Sequence, residues 1–383
     1  MNYKQWFSAH HEGRLKGRYI TLEHIKPLLK SYENVMEIST VGCSELGKEI
    51  PLIRIGKGKH VVLGWSQMHG NESTTTKAVF DFIKFVAQKD FFQSEIKLFL
   101  DHYSFFILPI LNPDGAHLYT RENANGIDLN RDAQDLSQRE SIALRSVFNS
   151  IQPDLCLNLH DQRSIYGLDT GAASAVSFLA PSANKERSLT KSRELAMSHI
   201  VRINRVLQDI LPGQVGRYDD CFNANCVGDT FQMAGVPTIL FEAGHYKEDY
   251  NRENTRLLLF NAFLGLFGFK KLLGKSENFN HYFNIPQNRV NHNDIILRRV
   301  LLKGYDALVD IAIQYTESLV HAEVGFIAVI DKIGDCDSTF GHREVDVKGC
   351  SLLINSQENI ELGQYVNTIV IKNNESDVIL LNK

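Results

Sequence analysis

The chain contains no apolar run long enough to cross a membrane. Its longest runs, such as SFFILPIL at 104–111, are strand length, against the roughly 20 residues a spanning helix needs. A basic block is also absent. With 41 Lys+Arg against 45 Asp+Glu and a formal net charge of −4, the chain lacks the electrostatic footprint of a nucleic-acid binder. The six cysteines (Cys43, Cys156, Cys221, Cys226, Cys336 and Cys350) have no framework spacing. Cys221 and Cys226 are close, but no second pair joins them to complete a metal knuckle, so reduced structural thiols are expected. The first residues, MNYKQWFSAHHEGRLKGRY, have neither an apolar core nor a small-residue cleavage site, which predicts a cytoplasmic protein. Repeats and low-complexity tracts are missing too.

What remains is ordinary soluble composition: 43% hydrophobic and 22% charged over 383 residues, enough for one large domain and a smaller one. From Val35 to about 275, strand-like runs alternate with helical patterns. The strand candidates are 50–55, 60–65, 105–111, 154–160, 175–180 and 237–243. Several are continuously apolar, as suits strands buried on both faces. Residues 73–89 place Val79, Phe82, Ile83 and Val86 on one helical stripe, and 138–149, 185–210 and 253–273 also read as helices. The alternation predicts an α/β layer fold with a mixed or mostly parallel sheet. The polar stretch 274–294 reads as a linker. Beyond it, 307–315, 324–331, 365–372 and 377–382 are β-like with short turns. The reading is therefore a domain over 1–275 and a small β-rich domain over 276–383.

Four residues stand at strand ends or beside them. His69 follows the run HVVLGW, and Glu72, three residues on, precedes a helix. The carboxyl ends of strands in an α/β sheet are the usual binding edge, and a tight turn brings residues three apart onto one cation. Taken alone the pair also fits a surface His and a helix-start Glu favoured by the dipole. His160 ends the run DLCLNLH; alone, it fits a hydrogen-bonded structural histidine. Two His and one Glu leave a coordination position open, the pattern of catalytic rather than structural zinc. Glu242, in VPTILFEAGHY, sits against an apolar run that raises a carboxyl pKa toward that of a useful base; a capping or ion-paired Glu is the competing reading.

The ordered set HGNE, NPDG, Arg121, DLNR, His160 and Glu242 resembles the zinc metallocarboxypeptidase family, whose best-known members are carboxypeptidases A and B. The resemblance covers about 35–270. It implies a three-layer α/β/α sandwich around a mixed, mostly parallel eight-stranded sheet. It implies one Zn²⁺ per chain held by His69, Glu72 and His160, with Glu242 as the general base and acid acting on a zinc-bound water. Arg121 matches the oxyanion arginine, and Asn130 and Arg131 match the pair gripping the substrate's terminal carboxylate. The implied substrate is a peptide or peptide-like molecule with a free C-terminal carboxylate.

The chain departs from the digestive enzymes in two places. Arg121 lies closer to the NPDG turn, a spacing more like bacterial members, including murein-peptide amidases. The stretch before Glu242, CFNANCVGDTFQMAGVP, holds no tyrosine; Tyr218 lies earlier and Tyr246 later. Asp161 and Arg163 follow His160 as pocket-lining candidates or as a structural ion pair. Two other readings stay open: a zinc amidase or deacylase of the murein-peptide or aspartoacylase type, and a catalytically silent module that binds carboxylate-bearing peptides. For the C-terminal domain the candidate roles are shielding the site mouth, homo-oligomer formation or partner binding. There His342, Asp335 and Asp337 read as an exposed polar loop rather than a cation site.

Overall fold

The computed structural model describes residues 2–270, 277–372 and 378–381, and its chain divides into two compact units. One comprises Met1–Gln162 with Ser174–Asn288; the other comprises Arg163–Ala173 with Arg289–Lys383. The expected boundary at 275/276 falls outside the described residues.

The first unit is built on eight strands: β1 (Glu37–Cys43), β2 (Glu49–Ile55), β3 (His60–Ser66), β4 (Tyr103–Leu108), β5 (Leu155–Asp161), β6 (Val176–Leu179), β7 (Val215–Arg217) and β8 (Thr238–Ala243). They lie in the order β1-β2-β4-β3-β5-β8-β6-β7. The β4–β3, β3–β5, β5–β8 and β6–β7 pairs are parallel; β1–β2, β2–β4 and β8–β6 are antiparallel. This is the α/β architecture the alternation predicted, with the mixed eight-stranded sheet that the resemblance implied.

Both faces of the central strands are covered, which is why their sequences are apolar throughout. Leu155, Leu157 and Leu159 of β5 enter one core with the helices Thr74–Ala87, Lys191–Gln208 and Glu253–Leu266. Leu63, Trp65 and Cys156 enter a second core with the helices Arg139–Ile151 and Val227–Met233. On that second face β5 switches from apolar to polar: Cys156 is followed, two residues at a time, by Asn158 and His160.

Several elements differ from the sequence reading. β1 was not expected because it is an edge strand with little burial, and β7 because it has three residues. The strand read as 105–111 stops at Leu108; Pro109 supplies no N–H to a ladder. The helix read from 185 begins at Lys191, where Thr190 Oγ1 accepts from Arg193 N at 3.3 Å. The helix read as 253–273 closes at Leu266, and 271–273 lie outside the described residues. The linker reading of 274–294 is corrected as well. Residues 274–276 are outside the described set, but Tyr282 and Ile285 are buried in the first unit's core, and a strand begins at His292. A polar average concealed two apolar anchors.

The second unit is β-rich, as expected. A five-stranded sheet orders Phe340–Asp346, His292–Val300, Val309–Val320, Glu323–Gly334 and Tyr365–Val366; a three-stranded sheet holds Leu352–Ile354, Ile369–Ile371 and Val378–Leu381. Leu297, Ile311, Ile313, Ile354 and Ile369 form its core. Arg163–Ala173 is woven into this unit. Tyr166–Gly167 pairs with Arg289–Val290, and Ser164 Oγ bonds Asp294 Oδ2 at 3.3 Å. No helix among the described residues is long and apolar enough to cross a membrane.

Candidate metal centre

HGNE is a turn at the end of β3: Glu72 N–H donates to His69 O at 3.1 Å, which brings the two side chains together. NPDG does not merely turn the chain. Asn112 caps the short helix Pro113–Leu118, its Oδ1 accepting from Gly115 N at 2.8 Å. Its Nδ2 donates to Met68 O at 3.1 Å and Glu122 O at 3.2 Å. Buried Asn112 thus ties the metal-side loop to the loop that carries Arg121. The two glycine motifs need each other. A Cβ on Gly70 would come within 1.9 Å of Gly115 C, a backbone atom with no room to give way.

At the end of this scaffold His69, Glu72 and His160 converge, with ligand atoms within 4.8 Å of one another; it is the one such group of three or more among the described residues. Glu72 Oε1 is 2.8 Å from His69 Nδ1, Glu72 Oε2 is 2.8 Å from His160 Nδ1, and the two Nδ1 atoms are 3.1 Å apart. Two nitrogens each ~2.0–2.1 Å from a tetrahedral zinc would be about 3.3 Å apart. The donor set fits zinc chemically as well as in spacing. His69 Nε2 is 3.0 Å from Asp128 Oδ1; with the proton on that nitrogen, the Nδ1 lone pair faces the cluster. Lone pairs of two imidazoles and a carboxylate then crowd one point, an arrangement that calls for a shared cation.

The electrostatics agree. Burial works to raise Glu72, but His69 and His160 outweigh it and hold the carboxyl well below the usual range. Burial lowers His69, and Glu72 and Asp128 reverse that, leaving it raised; burial keeps His160 lowered. Asp128, whose burial is likewise outweighed by His69 and Arg121, is held low.

Glu242 lies on β8, opposite His160 in register, and is half-buried. Burial first, then the charges of Glu72 and Asp161, push its carboxyl well above the usual range. Among the described residues no group hydrogen-bonds that carboxyl, so it is free to exchange a proton with whatever enters.

Arg121 reaches the cluster: its Nη1 is 3.5 Å from Glu72 Oε1 and its Nη2 is 3.0 Å from Asp128 Oδ2. Arg131 is exposed, its Nη1 donating to Asn130 O at 2.8 Å and lying 3.1 Å from Cys226 Sγ. Asn130 Oδ1 is engaged, accepting from Val227 N at 3.1 Å, so its amide nitrogen is the group left for a ligand. Asp161 is not paired with Arg163. Its Oδ2 accepts from Thr74 N at 3.0 Å and Thr74 Oγ1 at 2.5 Å, next to the ligand loop. In the second unit His342 Nε2 is 2.7 Å from Ser164 O, engaged in holding the 163–173 segment.

The sequence reading missed Asp128. It sits in DLNR, but its partners His69 and Arg121 are 59 and 7 residues away, and no local pattern announces a carboxylate that orients both.

Residues 21–166 match the family model described as zinc carboxypeptidase. No curated protein matches the chain. Solved structures do. The metallo-carboxypeptidase from Burkholderia cenocepacia is 16% identical, with 66% of this chain and 70% of that one covered at a TM-score of 0.54. The metallo-carboxypeptidase from Pseudomonas aeruginosa is 17% identical, covering 66% and 69% at 0.51. The carboxypeptidase A from Helicoverpa armigera is 17% identical, covering 70% and 78% at 0.51. At such identities the likeness establishes the fold.

Proposed function

We propose that this chain, whose residues 21–166 match the zinc carboxypeptidase family model, is a metallocarboxypeptidase that hydrolyses the C-terminal amide bond of a peptide or peptide-like substrate. The observation that carries the reading is the convergence of His69, Glu72 and His160 beside a half-buried, unbonded Glu242.

His69, Glu72 and His160 would hold one Zn²⁺, which when bound supplies Lewis-acid polarisation and acidifies a coordinated water. The chain's own residues do the rest. Glu242, whose carboxyl is raised by burial, accepts a proton and returns it to the leaving amine. Arg121, fixed by Asp128, presents a guanidinium to the anion that develops at the scissile carbonyl. Arg131 and the Asn130 amide nitrogen grip the terminal carboxylate, which places the last peptide bond over the cluster. Asp128 keeps His69 in one tautomer and one orientation.

The test pairs zinc analysis with peptides that end in a free carboxylate or in an amide. One zinc per chain and release of the last residue from free-acid peptides alone are expected. Zinc with equal cleavage of amidated ends would move the assignment to an amidase or deacylase. Zinc with no cleavage of any substrate would leave a binding module.

A further inference from the structure

β3 ends at Ser66, and the next residue, Gln67, is wholly buried with its backbone in the left-handed region at φ 44°. That region is disfavoured for a residue with a Cβ, and glycine is its usual occupant. A glutamine persists there only where its surroundings over-determine it, and such positions cluster at functional sites. Two residues later the chain reaches His69, after Met68 has entered the second core.

The over-determination comes from the Gln67 side-chain amide. Nε2 donates to Ile20 O at 2.9 Å and to Gly70 O at 2.8 Å, so both amide hydrogens are used. Oε1 lies 2.9 Å from Thr76 Oγ1, in the helix Thr74–Ala87. A flipped amide would set its oxygen against two carbonyl oxygens, which fixes the orientation. The main chain is held as well, since Asn112 N donates to Gln67 O at 3.0 Å.

These bonds reach the metal centre through backbone. Gly70 lies between His69 and Glu72, so the bond to its carbonyl grips the turn that carries two of the three proposed ligands. The bond to Ile20 O ties that turn to the N-terminal segment. Ser73, just beyond Glu72, makes a matching tie: its Oγ donates to Arg18 O at 2.5 Å instead of capping the helix it precedes. The segment is itself anchored, with Arg256 donating to Glu12 O at 2.8 Å and Leu15 O at 2.7 Å. A turn held in its binding form before the cation arrives spends no affinity on closing.

We infer that Gln67 is a positioning residue whose amide presets the 69–72 turn and thereby raises zinc affinity. The inference rests on the metal-site reading and adds to it a residue that acts on the ligands through the main chain.

The deciding experiment measures zinc affinity by competition with a chromophoric chelator, for the native chain, Gln67→Met and Gln67→Gly, at a temperature where each is folded. Methionine keeps the unbranched length and the backbone strain but removes the amide; glycine removes the strain too. Both variants are expected to bind zinc about 10- to 100-fold more weakly. Their cobalt(II)-loaded forms are expected to show weaker visible absorption than the native chain. A residue that served only the fold would lower the melting temperature and move neither reading. Native affinity in either variant overturns the inference. If Gln67→Met fails to fold, Gln67→Gly decides alone, because it carries no left-handed penalty. A native chain that binds no zinc sinks the metal-site reading and the inference with it; a native chain that binds zinc no more tightly than its variants sinks the inference alone.

Discussion

Glu242 stands opposite His160 in the register of two neighbouring parallel strands, so a proposed base and a proposed metal ligand 82 residues apart in the chain are held side by side by backbone hydrogen bonds. Rigid strands fix such a pair more tightly than loops do. Glu72 arrives from a turn, and Asp161 N–H bonds its Oε2 at 3.1 Å, which anchors the turn to β5 as well.

Replacing Glu242 by Gln removes the proton acceptor while keeping size and leaving all three proposed ligands. The variant should bind one zinc per chain, melt within about 1 kcal/mol of the native chain, and lose on the order of 10²–10⁴ in kcat. Mass-spectrometric profiling of peptides before and after incubation reads the loss. Unchanged release would remove Glu242 from its role.

Asp128→Asn tests the positioning of His69. The amide still fills the space but no longer presents a carboxylate to His69 Nε2 and the Arg121 guanidinium. Zinc affinity should fall about 10- to 100-fold, measured by competition with a chromophoric chelator. An affinity equal to the native value would show that His69 is held by other contacts.

Asn112→Ala should destabilise the fold rather than only the site. It removes a helix cap and two further bonds, one buried and one partly buried, that join the ligand loop to the Arg121 loop. A loss of about 2–3 kcal/mol in chemical denaturation is expected. A Gly70→Ala chain should be worse affected, because its new methyl would lie 1.9–2.4 Å from the backbone of Gly115 and Ala116.

Acid should weaken both units in one pH window. Burial, and then Arg202, depresses His199 to about 4; burial, and then His342, depresses His292 to about 4. Between that value and the ordinary 6.5 the unfolded chain binds the proton and the folded chain does not. Stability is therefore complete above pH 6.5 and is lost as pH falls toward 4, by about 2 kcal/mol per histidine at pH 5. Thermal melts at pH 7 and pH 5 measure the loss. His199→Leu and His292→Leu should each flatten the acid side of the curve, and an unaltered slope in both would exclude these two groups.

How far each level reaches is clear from particular residues. The apolar runs of β3, β5 and β8 were legible because burial on both faces leaves a local, continuous signature, and the polar residue closing each run marked the binding edge. HGNE, NPDG and DLNR were legible because each is a short turn with its own chemistry. What the order of residues left open depends on contacts between segments far apart in the chain. Asp128 orients His69 only because two loops meet across Gly70 and Gly115, and Tyr282 and Ile285 turn an apparent linker into core. Residue type and local period determine which elements form and which groups they carry. Register and the docking of loops decide which of those groups face one another, because they are set by packing between distant segments that no local pattern encodes.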